Sequence, residues 1–205
     1  MVTSGEATMP APGSHATGRG QCAYTPEMAV RVRFAAPDDA DALARLAAIT
    51  FPLACPSRTT AEAKAEFIRT MLSAERFAEH LADPARTVLL AEDDCEPEPA
   101  GYTMLVRGEP TDHDVRAAIT LRPTIELSKC YVLPGRHGQG VAPVLMAATI
   151  SAARRAGAAA MWLGVNNENL RAQAFYRRAG FAVVGEKHFL IGDRLEDDLV
   201  LERAL

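Results

Sequence analysis

The segment "TIELSKCYVLPGRHGQGVAPVLM" constrains this chain more than any other. An apolar stretch of strand character ends near Val132, a turn with Gly138 and Gly140 follows, and a helical run begins. The first amides of a helix have no partner inside the helix. The summed peptide dipoles leave partial positive charge at the same place. Glycines let a ligand approach the backbone closely. A strand, a glycine turn and a helix start in that order form an anion cradle, and a phosphate or pyrophosphate is its natural occupant. The plain alternative is a helix start whose glycines serve only the turn. Two familiar phosphate motifs are excluded. "GQGVAP" lacks the Gly-Lys-Ser/Thr ending of a P-loop. A dinucleotide fingerprint needs a third glycine where Pro143 stands.

The rest of the chain supplies elements for one α/β domain. Residues 1–29 are rich in Gly, Pro, Ser and Thr and read as a flexible or extended arm. Residues 30–205 read as the domain. "VRVRFAAP" alternates like a strand. Asp38 opens the helical "DDADALARLAAITF", and Thr59 with Glu62 makes a capping-box pattern before one longer helical region ending near Pro84. "TVLLAED" and "AGYTMLVRG" are strands joined by the acidic loop "DCEPEP". "TIELSKCYVLP" and "AMWLGV" read as buried strands, and "FAVVGEK" and "DLVLER" as the last two. The glycine turn leads to a helix over about 139–156, with Pro143 in its first turn and Gly157 at its end. Asn169 caps a short helix that Gly180 ends. This order predicts a mixed α/β sheet.

Composition narrows the function. A formal charge of -4 over 205 residues argues against a nucleic-acid partner. No stretch approaches the ~20 apolar residues of a membrane span. "MVTSGEATMP" lacks the apolar core of a secretory signal. Cys22, Cys55, Cys95 and Cys130 make no CxxC pair, so no metal is expected and a reducing, cytoplasmic setting is.

A second constellation joins the first. "NLRAQAFYRRAGF" (169–181) has the form N-x-x-A-x-x-F-Y-x-x-x-G-F, about 30 residues after the glycine turn. Together the two segments resemble the GNAT superfamily of N-acetyltransferases over most of 31–205. Within it, "WLGVNNENLRAQAFYRRAGF" and "FLIGDRLEDDLVLERAL" look most like the bacterial spermidine/spermine-type branch, whose Trp-Glu pair is replaced here by Asn166-Asn167. The resemblance implies a single mixed, mostly antiparallel sheet with helices on both faces, and an acyltransferase moving acetyl from acetyl-CoA to a primary amine. It implies a cofactor site of Tyr131, Val132, Arg136, His137, Gly138, Gln139, Gly140, Val141, Ala142 and Asn169. His137 stands where the family carries Gln or Arg; a neutral imidazole still donates to a phosphate oxygen, and Arg136 beside it could supply charge.

Such a transfer needs a base for the amine, a stabilised oxyanion and an acid for the leaving thiolate. The resemblance makes Tyr176 the acid, against the plain reading of a half-buried aromatic beside Phe175. It makes Glu126 the base or the holder of a cationic substrate, against a salt-bridged strand-end carboxylate. Strand alternation places Glu126, Ser128, Cys130 and Val132 on one face. Val132 would contribute only its backbone amide, and Asn169 is also an ordinary helix cap. Cys130 reads as a small core residue rather than a nucleophile. His188 reads as a surface residue or an acceptor-site lining. Glu196, Asp197 and Asp198 read as a solvated strand edge or a polyamine attractor. The expected acceptor is a small-molecule amine, polyamine-like in the first instance, with a homodimer as an allowed assembly. A protein α-amine or lysine, and a CoA-binding sensor without catalysis, are the alternatives.

Overall fold

Seven strands form one sheet in the order β1-β2-β3-β4-β5-β7-β6. The computed structural model describes residues 30–56, 58–93, 98–191 and 194–205. The elements in chain order are β1 (Arg31–Phe34), α1 (Ala40–Ala54), α2 (Ala61–Met71), α3 (Ala74–Ala82), β2 (Arg86–Glu92), β3 (Gly101–Arg107), α4 (His113–Ala118), β4 (Thr124–Val132), α5 (Val141–Arg155), β5 (Ala160–Asn166), α6 (Leu170–Arg178), β6 (Ala182–Ile191) and β7 (Arg194–Ala204). Every strand pair is antiparallel except β4–β5. This is the mixed, mostly antiparallel sheet that was expected.

Alternation along the strands sorts the core onto two faces. Leu89, Leu105, Leu127, Leu163 and Leu201 pack with the buried stripe of α5 and with Tyr176 of α6. Val88, Leu90, Tyr102 and Met104 pack on the other face against Leu43, Leu46 and Phe51 of α1 and Phe77 of α3. Trp162 and Val200 meet Val115 of the short α4 on that second side. Helices therefore cover both faces of the sheet.

Several boundaries differ from those read in the sequence. A 3-10 turn over Pro37–Asp39 precedes α1, so Asp39 rather than Asp38 stands before the helix. The long helical region divides into two helices. Ser73 accepts from the Arg76 amide and starts α3 afresh, and Thr60, not Thr59, caps α2 through the Ala63 amide. Each such cap is worth ~1 kcal/mol, so a serine inside an apolar periodicity starts a helix as well as interrupting one. α4 was not anticipated: its six residues are too few to show a period, and its signal is Asp112, which accepts from two amides. The arm, Ser57 and most of the "DCEPEP" loop lie outside the described residues. No helix among the described residues is long and apolar enough to cross a membrane.

Candidate active site

β4 carries the site, and its alternation is broken once. Met104 pairs with Lys129 but Leu105 pairs with Leu127, leaving Ser128 as an extra residue in the ladder. A bulge of this kind flips the face of every residue beyond it. Ile125 and Leu127 face the α5 core before the bulge, and Cys130 and Val132 face it afterwards. Tyr131 packs on the opposite core. The expectation that Glu126, Ser128, Cys130 and Val132 share a face is therefore corrected: Glu126 shares its face with Lys129 and Tyr131.

The sheet opens where β4 meets β5. The two strands pair only over Thr124–Glu126 and Ala160–Trp162 and then diverge. Two cavities fill the divergence, of about 470 Å³ and 360 Å³. Six residues line both: Ala54, Cys130, Tyr131, Asn169, Ala172 and Tyr176. The cavities meet at the middle of the opened sheet.

The larger cavity lies at the start of α5. Gly138 and Gly140 both have φ of +82°, and no atom lies within 4 Å of where a Cβ would sit. The first helical bond in α5 runs from the Val144 amide to the Gly140 carbonyl. The Val141 and Ala142 amides are left without a helical partner, and Pro143 has no N–H to satisfy. The Val141 side chain is buried in the core, so only its backbone reaches this region. Arg136 does not stand free toward the cavity: its guanidinium lies 2.7 Å from the buried carboxylate of Asp93 and donates to Gln139 Oε1 at 3.3 Å. Gln139 in turn donates to the Gly135 carbonyl and is not among the lining residues. The His137 ring lies over the strand end, with Nε2 at 3.1 Å from the Val132 carbonyl. A carbonyl only accepts, which fixes the Nε2–H tautomer. The Leu133 amide donates to the carbonyl of Ala100, just before β3. By alternation the Val132 amide points away from β3, toward the opening.

Sequence reading missed Arg171, Phe175 and Arg178, which line the same cavity from α6. Their i, i+4, i+7 spacing was the available signal. It also missed Thr50 and Leu53 of α1, which the chain brings there from a distant segment.

The smaller cavity holds charge. Glu126, Lys129, Lys187 and Asp198 line it, opposite the stacked rings of Phe51 and Phe67. Burial raises the Glu126 pKa, while Lys187, Lys129 and the Ser128 hydroxyl oppose the rise. Burial lowers that of Lys129, with Glu126 opposing. At the junction Tyr176 is buried between Phe175 and Phe181. Burial holds its hydroxyl protonated well above the usual phenol range, and the hydroxyl faces Cys130. The Cys130 thiol is pushed up to about 12 by burial, so it stays a thiol rather than a nucleophile. Asn169 caps α6 through the Ala172 amide while lining both cavities. Gln173 donates to the Asn166 and Asn167 carbonyls, and Arg58 pairs with Glu168.

Of the other candidates, His188 lies exposed on β6 beside Asp197, outside the cavity lining. The acidic run divides by alternation: Asp197 is exposed and Asp198 is buried in the cavity. The Glu196 side chain lies outside what the structure describes. Among the described residues, no group of three or more His, Cys, Asp or Glu is placed to hold a metal ion.

The opened β4–β5 pair thus sets a helix start with unpartnered amides at one cavity and ionisable side chains in the next. Residues 50–181 match the Acetyltransferase (GNAT) family, and the chain belongs to it and is an acyltransferase. It is 45% identical over 167 residues to an uncharacterized N-acetyltransferase of Mycobacterium tuberculosis, covering 82% of this chain and 98% of that one. A shorter match of 46% over 54 residues is to streptothricin acetyltransferase of Streptomyces lavendulae, covering 26% of this chain and 29% of that one. In fold it is similar to PaiA N-acetyltransferase of Thermoplasma acidophilum, solved with coenzyme A, with a TM-score of 0.68 and 18% identity over 87% of this chain and all of that one.

Proposed function

We propose that this chain transfers acetyl from acetyl-CoA to the primary amine of a small molecule. The carrying observation is the meeting of two cavities at Cys130, Tyr131 and Tyr176, one at the start of α5 and one around Glu126. In this reading the pyrophosphate of acetyl-CoA lies on the Val141 and Ala142 amides, in the space that Gly138 and Gly140 leave clear. The pantetheine arm runs along the outward edge of β4 at Val132, past Asn169, and brings the thioester to Tyr176. The amine enters from the smaller cavity. Glu126 takes its proton, directly or through water, since an ammonium of pKa about 10.4 is no nucleophile. The nitrogen attacks the thioester carbonyl and the C–N bond forms; as the C–S bond breaks, the Tyr176 hydroxyl donates its proton to the departing thiolate, and the second proton released by the nitrogen returns to the tyrosine oxygen through water.

A cavity of about 360 Å³ walled by α1 and α2 suits a small acceptor better than a peptide, which supports the small-molecule reading over a protein amine. Two carboxylates, Glu126 and Asp198, favour a cationic acceptor such as a polyamine, and two lysines oppose it. The match to streptothricin acetyltransferase is consistent with a small acceptor.

A panel of amines assayed for thiol release from acetyl-CoA tests the reading, with Tyr176→Phe as its internal control. The variant loses one oxygen and keeps the ring, so acetyl-CoA affinity by calorimetry should hold while kcat falls by about 100-fold. Tight acetyl-CoA binding with no amine turned over would instead favour a non-catalytic CoA sensor.

A further inference from the structure

We propose that the acceptor bears an anionic group, a carboxylate or phosphate, a few bonds from its amine, and that Lys129 receives this group while Glu126 receives the amine. The inference rests on the acetyl-transfer reading above. The bulge at Ser128 turns Lys129 onto the Glu126 face and into the smaller cavity. Phe51, Phe67 and Leu72 wall that cavity with apolar surface. Among the described residues, Lys129 forms no ion pair within 4 Å, and its charged neighbours are Glu126 and a second cation, Arg86. Arg86 is already paired with Asp83 at 3.1 Å. His80, also near Lys129, is held neutral by burial and by the cations around it. The Lys129 end of the cavity is therefore cationic, and an ammonium half removed from water without a carboxylate against it is stabilised by a ligand anion.

The opposite side is also built for charge. Lys187 of β6 reaches across β7 to lie over Gly164 of β5. A Cβ at residue 164 would fall 2.5 Å from Lys187 Cε and 3.0 Å from Asp198 Oδ2. Only a glycine leaves Lys187 this path, and its charge acts on Glu126. Glu126 thus has Lys129 on its own strand, and across the cavity Lys187 beside the Asp198 carboxylate. An acceptor with a single ammonium and a nearby anion matches that pattern. A polyamine would set its second ammonium against Lys129.

Acceptors matched in length separate the cases: 4-aminobutanoate, 4-aminobutanamide and 1,4-diaminobutane, and phosphoethanolamine against ethanolamine. Each is assayed for thiol release and, by calorimetry, for binding to the CoA-loaded protein. The anionic member of a set should bind and react at least about tenfold better than its neutral partner, the scale of one hydrogen bond to a charged group. Lys129→Met, checked for folding by circular dichroism, should raise KM for the anionic acceptor about tenfold more than for its neutral partner; Lys129→Arg should restore most of that preference. The family of acids that works, carboxylate or phosphate, identifies the group. Turnover of diamine or amide in preference to the anionic acceptors, or a Lys129→Met variant with unaltered preference, overturns the proposal and leaves the transfer reading standing. Selective binding of anionic amines without turnover overturns their role as acceptors; if Lys129→Met abolishes that binding, Lys129 alone is upheld as the site of the anion. No binding of any anionic amine overturns it outright.

Discussion

The helix that carries the glycine turn is tied to the sheet by a buried polar contact, and cutting it has a calculable consequence. Thr149 of α5 and Thr103 of β3 are both fully buried, and their hydroxyl oxygens lie 2.7 Å apart. Thr149 also donates to the Leu145 carbonyl at 2.7 Å. A hydroxyl has one proton, so Thr103 is the donor between the two. Thr149→Val keeps shape and volume but removes the acceptor, leaving the Thr103 hydroxyl unsatisfied in an apolar core. That penalty is ~1–3 kcal/mol. At ~2–4 °C of melting temperature per kcal/mol for a chain of this size, a central value of ~2 kcal/mol lowers Tm by ~4–8 °C. Urea unfolding should show a lower midpoint with an unchanged slope. Thr103→Val added to Thr149→Val removes the orphan, so the double variant should regain part of the loss, a coupling that independent sites do not show. A single variant that melts with the wild type, or a double variant showing the full sum of two losses, refutes the assignment of donor and acceptor.

Two further outcomes are expected. Gly140→Asp meets open space at its added Cβ but is strained at φ +82°, so folding is checked by circular dichroism; the folded variant should bind acetyl-CoA more than about tenfold more weakly in calorimetry, because a carboxylate stands against the proposed phosphate position; unchanged affinity would remove the phosphate from α5. Because burial raises the Glu126 pKa above its ordinary 4.5, the acid limb of kcat/KM should lie above that value and vanish in Glu126→Gln. The same shift has a stability sign: the folded chain holds this proton more readily than the unfolded one, so the contribution is present below the ordinary carboxylate range and lost as pH rises through the raised value. Glu126→Gln should therefore melt higher than wild type at neutral pH.

What the sequence revealed and what it hid divide along physical lines. The glycine turn, the start of α5 near Pro143 and the Asn169 cap were legible because each is local: backbone conformation and capping depend on residues a few positions apart. The sheet class was legible from the order of elements and from the resemblance. The bulge at Ser128 was not. A strand that slips by one residue keeps the same composition and the same polar–apolar texture on either side, and only the pairing with β3 reveals the extra residue. The ion pair of Arg136 with Asp93 was hidden for the same reason, since it joins the turn after β4 to the residue after β2. Lys187 was unreadable as a cavity residue because its reach over Gly164 depends on the strand order β5-β7-β6.

The bulge also explains why one strand can serve two cavities. Were β4 regular, Glu126, Ser128, Cys130 and Val132 would face the α5 core together, and the charged residue would have to be buried among leucines at a cost of several kcal/mol. With one residue added, the half of β4 beside Glu126 presents its even-numbered side chains to the side of α1, and the half beside Cys130 presents them to α5. Cys130 then reaches Tyr176, while Lys129 and Tyr131 stay with Glu126 in contact with the smaller cavity. The divergence from β5 begins directly after Glu126, so the strand loses its second neighbour where its side chains change sides. The outward backbone at Val132 is thus exposed to a ligand on one side of the sheet, and the carboxylate at Glu126 is offered from the other. A deletion of Ser128 should be read in that light: it removes only the extra residue, so Met104–Lys129 and Leu105–Leu127 stay successive pairs and each remaining side chain keeps its face. The chain should fold with Glu126 and Lys129 still on the side of the smaller cavity, and a variant that no longer folds would refute the assignment of Ser128 as the extra residue.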